Sequence, residues 1–562
     1  MVARIARLLG REVRGLHEAA YLLGAFALLS QLLALIRDRL FASSFGASEV
    51  LDIYYASFRI PDLLFVSIAS FVSIYVLIPL LVEKLDRTDG EAKRFLNNVF
   101  SSFFLVLTLV SLLIAALAPV LVPYIVPGFD AEQQREVVTL TRIMLLQPFL
   151  LGVSNLLASV TQIKGRFALY ALSPVLYNFG IIGGLLFLYP IMGMPGLAWG
   201  VVVGALMHVS IQVPFIRSQG LLPRVTMRLN LAEIWHVVRL SFPRTLALAM
   251  NQIVLLVFVA IGSTLAVGSI AVFQLATHLQ SVPLAIIGVS YSVAAFPTLA
   301  KLFSSGQREA FLAQIVTAAR HILFWAIPAV VFVIVLRAQL VRVILGAGEF
   351  GWGDTRLTAA ALALFMLSLI EQMIILLLVR GFYAAGNTRI PLIINVLSSG
   401  VAIASAFLFL GLFNASTLFR ETVEVLLRVE GLAGTEVLML PLAFTVGMGV
   451  NALLLMVLFQ RRYGEVRAIV RPTVGVSSIA SLAGGAVAYF GLSIMDKVVD
   501  SNTFVGIFTQ GVVAGVAGLI VWGLVLKLLN STELEEAIEA LRRRGFLTQK
   551  PFVPEDGGPT GN

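Results

Sequence analysis

The chain alternates long apolar runs with short polar breaks, and each run is close to the roughly 20 residues that cross a bilayer as a helix. In the first half the runs fall near 19 to 43, 58 to 82, 96 to 123, 138 to 163, 168 to 190 and 196 to 216. In the second they fall near 241 to 262, 269 to 299, 320 to 345, 357 to 379, 391 to 413, 439 to 459, 473 to 494 and 503 to 528. The pattern predicts about 14 transmembrane helices. Pro119, Pro174, Pro283 and Pro328 lie inside runs, which a membrane helix tolerates where neighbours satisfy the freed backbone groups. The strict alternation of a barrel strand is absent, so the expected fold class is all-α and polytopic.

The polar breaks alternate in charge. With the N-terminus placed in the cytoplasm, the inside segments collect most of the 40 Lys and Arg residues. They include Arg4, Arg7, Arg11 and Arg14, then Lys84, Lys93 and Arg94, then Arg217, Arg224 and Arg228, and later Arg461, Arg462 and Lys550. Positively charged loops face the cytoplasm, so an even number of spans with both termini inside is expected. The run from Ala19 to Ile36 is longer than a signal-peptide core and lacks a small-x-small cleavage pattern, so it reads as a retained first helix.

Composition sharpens this picture. Of 562 residues, 59% are hydrophobic and 13% charged, with a mean hydropathy of +0.95, whereas soluble domains carry about 25% charge. A soluble enzyme is excluded. The net charge of +9 is explained by the basic loops, so no nucleic-acid partner is expected. There is no cysteine, hence no disulfide framework or thiolate metal site. No Walker A loop, H-E-x-x-H or G-x-S-x-G motif occurs. The chain therefore reads as a non-enzyme without catalytic residues, cofactor or metal. Any transport must draw on membrane potential, an ion gradient or the substrate gradient.

An internal repeat is visible. Pro174 and Asn178 stand in P-x-x-x-N, and Pro391 and Asn395 repeat it 217 residues later. IPLLVEKL around Pro79 is echoed by FPTLAKLF around Pro297, at an offset of 218. An even number of helices per unit keeps both units in one orientation. The expectation is an N-lobe at 1–216, a C-lobe at 217–460, two added helices within 461–530 and a charged cytoplasmic tail at 531–562. Two six-helix lobes around a central cavity form a transporter architecture that works by alternating access.

Ionisable groups at membrane depth are functional candidates. Arg37, Asp38 and Arg39 cluster at the end of the first span, and Asp52 and Arg59 follow, seven residues apart. The cluster either presents guanidinium to an anionic head group, since Arg forks match phosphate oxygens, or is a structural ion-pair network fixing the hairpin. Glu371 is the only acid between Leu357 and Val379. It is either an ion or proton site or a structural hydrogen-bonding group. His278, whose ring titrates near neutral pH, either meets phosphate when charged or is a packing residue. Asn178, Asn251 and Asn395 read mainly as interhelical hydrogen-bonding groups.

The segment SQLLALIRDRLFASSFGASEVLDIYYASFRIPDLL, from Ser30 to Leu64, resembles the MurJ (MviN) family of lipid II flippases of the multidrug/oligosaccharidyl-lipid/polysaccharide exporter superfamily. Its pattern there is S-R-x-L-G-x-x-R-D, F-G-A-x-x-x-x-D-A-F and F-x-x-P-N-L-L. SIAVFQLATHLQSVPLAIIGVSYSVAAFPTLAK and RGFYAAGNTRIPLIINV extend the likeness into the second half. The resemblance implies a lipid-linked pyrophosphate bound in a cationic central cavity, with its polyprenyl tail in a groove involving helices 13 and 14. It places the family arginine–aspartate pair on Arg37 and Asp38 and the family aspartate on Asp52. Departures are Gln31, Phe65 and Val66, and His278, all at family arginine positions; Arg59 stands where a basic residue is common. The acid associated with a sodium site on helices 7 and 11 is lacking. The implied function is translocation of a polyprenyl-pyrophosphate-linked sugar, lipid II first among them. Another lipid-linked oligosaccharide, a cation or drug antiporter, or a non-transporting scaffold are the alternatives. The implied partners are the lipid-linked glycan, membrane lipids and cell-wall synthesis proteins, and the implied location is the bacterial cytoplasmic (inner) membrane.

Overall fold

A computed structural model describes residues 16–68, 74–87, 89–227, 229–500 and 503–544. Arg4, Arg7, Arg11, Arg14, Arg228 and Lys550 lie outside the described residues, as does the tail beyond 544. The first half runs α1 (Leu16–Phe45), α2 (Glu49–Ser57), α3 (Arg59–Ile68), α4 (Ile74–Arg87), α5 (Asp89–Ile125), α6 (Ala131–Met144), α7 (Leu146–Ile163), α8 (Phe167–Gly183), α9 (Tyr189–Met192), α10 (Met194–Ser210) and α11 (Val213–Ser218). The second half runs α12 (Leu231–Ser263), α13 (Ser269–Pro283), α14 (Ser290–Ser304), α15 (Arg308–Val335), α16 (Arg337–Leu345), α17 (Trp352–Leu367), α18 (Leu369–Ala384), α19 (Arg389–Ala415), α20 (Thr417–Leu427) and α21 (Met439–Tyr463). Then follow α22 (Arg467–Met495), α23 (Phe504–Leu528) and α24 (Thr532–Arg544). Two π-helical stretches, Gly184–Leu188 and Leu284–Val289, continue α8 and α13 into the helices after them.

Among the described residues, eleven helices are long and apolar enough to cross a membrane, or twelve with α17 and α18 taken as one span bent by 41°. The regions of α1 and of α3 with α4 occupy the first two expected places, so fourteen spans are consistent with the fold. The expected span at 320 to 345 is divided: α15 starts at Arg308 and ends at Val335, and α16 begins at Arg337. Arg337 there donates to the carbonyl of Ile334, which secures the end of the preceding helix. The segment 414 to 438, expected as a loop, contains α20.

Burial separates the molecule into packed bodies. One core draws on residues from Phe41 to Leu221, with a few from the second half. Another draws mainly on Val254 to Val470. A small third core, with Phe324, Phe332, Ala480 and Trp522, joins α22 and α23 to α15. Large apolar side chains such as Leu112 and Phe187 remain exposed on the outside, as expected where lipid is the neighbour rather than water.

Close helix crossings set the geometry. A Cβ on Gly180 would lie 2.2 Å from the Cα of Gly204, and one on Gly184 would lie 2.4 Å from that of Gly200. These two small-x-x-x-small pairs let the α8 and α10 backbones touch, and α8 is the helix that carries Asn178. The loops at 46–48, 126–130, 264–268 and 346–351 meet at one end. A Cβ on Gly128 would lie 2.1 Å from the Ser263 carbonyl oxygen, and one on Gly348 would lie 2.1 Å from that of Ser43. The opposite, basic end holds Lys84 against Glu233 at 3.4 Å, together with α24.

Candidate functional site

The site forms where α1, α2 and α3 of the first half meet α13 of the second. Gly46, at φ +63, turns the chain after α1, and its N–H donates to the Ala42 carbonyl, a glycine-type helix end. The returning α2 lies against α1 through a Phe41–Tyr54 ring stack with centroids 4.9 Å apart. This packing carries polar side chains into the interior: Asp38, Asp52 and Arg59 are 2%, 3% and 6% exposed.

Arg37 holds Asp38 with two donors, Nε and Nη2, at 3.0 and 2.7 Å from Oδ1. Its Nη1 donates to Asn178 Oδ1 at 3.0 Å. The other Asp38 oxygen lies 2.9 Å from His278 Nδ1, across the boundary between the halves. His278 Nε2 lies 2.8 Å from Gln274 Nε2, and Arg59 Nη2 donates to Gln274 Oε1 at 3.2 Å. A guanidinium can only donate, so the Gln274 oxygen belongs to Arg59 and its amide N–H faces His278 Nε2. His278 Nδ1 faces the Asp38 carboxylate, to which it donates, an assignment made from the network.

A cavity of about 110 Å³ opens beside this network, lined by Arg37, Arg59, Asp62, Gln274 and His278 among others. Arg37 is neutralised by Asp38. Arg59 makes no ion pair among the described residues and bonds only to Gln274 and the Tyr55 carbonyl. Arg59 is therefore the guanidinium with capacity to spare.

The expected site residues do not all converge here. Arg37, Asp38, Arg59 and His278 do. Arg39 does not: Nη1 donates to the carbonyls of Val343, at 2.5 Å, and Ile344, at 3.2 Å, and its guanidinium lies over the Phe504 ring at 5.5 Å. Two helical steps of 100° from Arg37 turn it to another side. Asp52 is also elsewhere. Its carboxylate accepts the N–H groups of Gly268 and Ala271 at 2.6 and 2.8 Å, satisfying otherwise unpaired donors at the start of α13. Gly268 has φ +87, and a Cβ there would lie 2.2 Å from the Ala47 carbonyl oxygen. Asp52 thus ties the halves at the end away from the basic loops. Glu371 sits in the first turn of α18, just beyond the bend at Ser368, and its buried Oε2 has no hydrogen-bond partner among the described residues.

Three participants were missed. Asp62 was detectable: it replaces the asparagine of P-N-L-L three residues after Arg59, on the same helical face. Gln274 precedes His278 by four and had the same signal. Asn178 was singled out, but nothing in its surroundings in sequence points to Arg37. Among the described residues no three His, Cys, Asp or Glu side chains are placed to hold a metal.

Comparison with known proteins bears on this geometry. A family model described as lipid II flippase MurJ matches residues 41–509. A probable lipid II flippase MurJ of Buchnera aphidicola subsp. Acyrthosiphon pisum is 30% identical over 65% of this chain and 72% of its own length. One of Bdellovibrio bacteriovorus is 28% identical over 81% and 85%. The solved structure of lipid II flippase MurJ in an inward closed conformation matches with a TM-score of 0.71 at 22% identity, over 91% of this chain and 99% of that one. An inward-facing multidrug resistance MATE transporter matches with a TM-score of 0.61 at 14% identity, over 78% and 96%. At such identities the structural matches speak for the fold alone.

Proposed function

The chain belongs to the lipid II flippase MurJ family, and from that premise we propose that it moves lipid II through the Arg37–Arg59 cavity, with both termini in the cytoplasm of a bacterial cell. It is a transporter and not an enzyme. The observation that carries the reading is the buried network across both halves, Arg37–Asp38–His278–Gln274–Arg59, in which Arg59 borders a cavity and makes no ion pair within 4 Å among the described residues.

In this reading a pyrophosphate entering the cavity meets Arg59 first, as charge-assisted donor. It then competes with Asp38 for Arg37. A substrate that displaces Asp38 weakens its bond to His278 and so loosens a tie between the halves. Substrate binding and lobe movement are thereby coupled through shared hydrogen bonds, as alternating access requires. Asp52 serves a different role, holding shut the end where it meets Gly268 and Ala271.

The separate cores support a division into an N-lobe, 1–216, a C-lobe, 217–460, two further helices within 461–530 and the tail at 531–562. Arg37, Asp38, Arg59 and His278 are substrate contacts, Arg39 and Asp52 hold the frame, and Glu371 is an ion or proton site. Cell-wall synthesis proteins that take up the delivered precursor are the expected partners. The test is complementation of a conditional lipid II flippase deletion. Rescue by the wild type and not by Arg59→Gln, at equal membrane levels, is the expected result. Failure of the wild type to rescue assigns the same chemistry to another lipid-linked glycan.

A further inference from the structure

The network cavity, at about 110 Å³, is small beside a second one in the C-terminal half of about 460 Å³. Its walls combine Asn251 on α12, Gln372, Arg380 and Tyr383 on α18, and Phe296 on α14, with aliphatic side chains between them. Among the described residues no carboxylate lines it. Its floor is braced: Asn395 donates to the Ala247 carbonyl at 2.7 Å, and Asn451 donates to Asn395 at 3.3 Å and to Ser398 at 2.7 Å. Asn251 is exposed and makes no side-chain hydrogen bond among the described residues. Gln372 spends one N–H on Ser368 at 2.9 Å, and its carbonyl oxygen has no hydrogen-bond partner among the described residues. Arg380 is held by Ser292 and by the Val289 carbonyl.

We propose that this cavity is a second substrate subsite, taking the acetamido sugar portion of a lipid-linked glycan whose pyrophosphate lies at Arg59. The inference rests on the function proposed above. Free amide groups offer a donor and an acceptor side by side, matching an acetamido group or a sugar hydroxyl rather than an anion or a cation. Tyr383 and Phe296 supply the apolar ring surface that a sugar's C–H face needs, while Arg380 is already engaged by Ser292 and Val289. The two cavities share one helical run. His278 borders the small one, and Leu284, six residues or roughly 9 Å further along, borders the large one. The π-helical stretch Leu284–Val289, entered at Pro283, begins at the wall of the large cavity, where such a distortion re-aims side chains and often marks a functional position.

The experiment measures binding by purified full-length protein of two probes, a polyprenyl pyrophosphate without sugar and the same lipid carrying an acetamido disaccharide. Wild type is expected to prefer the glycosylated lipid by about tenfold, the scale of one or two extra hydrogen bonds. Asn251→Ala with Gln372→Leu should remove that preference while leaving affinity for the bare lipid unchanged. Leu376→Trp, which fills the cavity, should do the same, and thermal stability of each variant reports folding. A preference that survives both changes, or an equal loss for both lipids, overturns the subsite. Arg59→Gln should weaken both probes alike. If it leaves the bare lipid's binding unchanged, the pyrophosphate assignment falls and the preference of wild type still judges the sugar subsite.

Discussion

The two halves treat one corner of the fold in opposite ways. Asn178 Nδ2 reaches Ser30 Oγ, 148 residues earlier, at 3.4 Å; Asn395 Nδ2 reaches the Ala247 carbonyl, also 148 residues earlier, at 2.7 Å. Ser30 and Ala247 are themselves 217 apart, the spacing of the two asparagines. The amide tie between first and fifth helix of each unit is therefore shared. What its oxygen receives is not. In the N-terminal half Asn178 Oδ1 accepts from Arg37, whereas in the C-terminal half Asn395 Oδ1 accepts from Asn451. The residue 217 positions after Arg37 is Val254, 3% exposed in an apolar core. A duplicated tie has become a charge holder on one side and a neutral brace on the other, so the anion-binding capacity of the cavity is asymmetric.

The sharpest way to break the comparison is to exchange the charge. Arg37→Ala removes one partner of a buried ion pair and leaves Asp38 with His278 alone, a loss on the order of 3–5 kcal/mol for such a group. Transport should be abolished, and Arg37→Lys should restore only part of it, because Lys keeps the charge and loses the fork. Val254→Ala should leave transport within about twofold and lower stability by roughly 1–2 kcal/mol, a packing effect. Equal transport loss from both substitutions, measured in a flipping assay with matched protein levels, would remove the functional asymmetry.

The asparagines themselves come next. Asn178→Ala strips Arg37 of an acceptor and should reduce transport about tenfold, with a stability cost of roughly 1–3 kcal/mol for the donor left unpaired. Asn395→Ala should carry a similar stability cost and a smaller transport effect, since no charge depends on it. Comparing lipid binding with thermal melting separates the two.

The effect at His278, the contact between halves, is expected to depend on whether the substitute keeps a donor. Its Nδ1 contributes one donor to Asp38, so His278→Gln, which keeps a donor, should retain transport within about threefold. His278→Leu leaves that carboxylate oxygen without a partner and should cost about tenfold, in line with roughly 1–3 kcal/mol for an unsatisfied buried acceptor. Indistinguishable Gln and Leu variants would show that the ring only fills space.

Much of this was legible in the chain. Run lengths announced the helices, and P-x-x-x-N announced the corner that the two halves share. Charged residues at membrane depth announced Arg37, Asp38 and Arg59. Direction was less legible, because each helical step turns a side chain by 100° and nearly every face of these helices is apolar. Arg39 and Asp52 therefore looked like cavity residues while holding α16 and α13. The bond from His278 to Asp38 joins residues 240 apart, and nothing local to either one encodes it. The break after Val335 depends on Arg337, whose other donor reaches the Leu427 carbonyl at 3.5 Å, again a partner far along the chain.

A second asymmetry lies at the basic end and predicts the mildest effect. Arg320 on α15 stands 218 residues after Ser102 on α5, and Arg320 carries an ion pair to the terminal helix that a serine could not make. It donates to Glu533 Oε1 at 3.0 and 2.7 Å, and Thr473 donates to the same oxygen at 2.6 Å. Burial alone would raise the Glu533 carboxyl, but the bonds from Thr473, Arg320 and Ser531 outweigh it and hold the group down at about 2. A carboxyl with a depressed folded-state value stabilises the fold fully above its unfolded value, about 4.3, and loses that contribution as pH falls through the folded one. The contribution of Glu533 to docking of α24 should therefore be constant from pH 7 to 5 and weaken progressively from about pH 4.3 to 2. Hydrogen exchange across Thr532–Arg544 reads this directly. Glu533→Gln should raise exchange at pH 7 and flatten its acid dependence, while transport at neutral pH changes little, since the clamp lies at the basic end and outside the Arg37–Arg59 network. Wild-type exchange that accelerates already between pH 7 and 5 would mean that another group controls the helix.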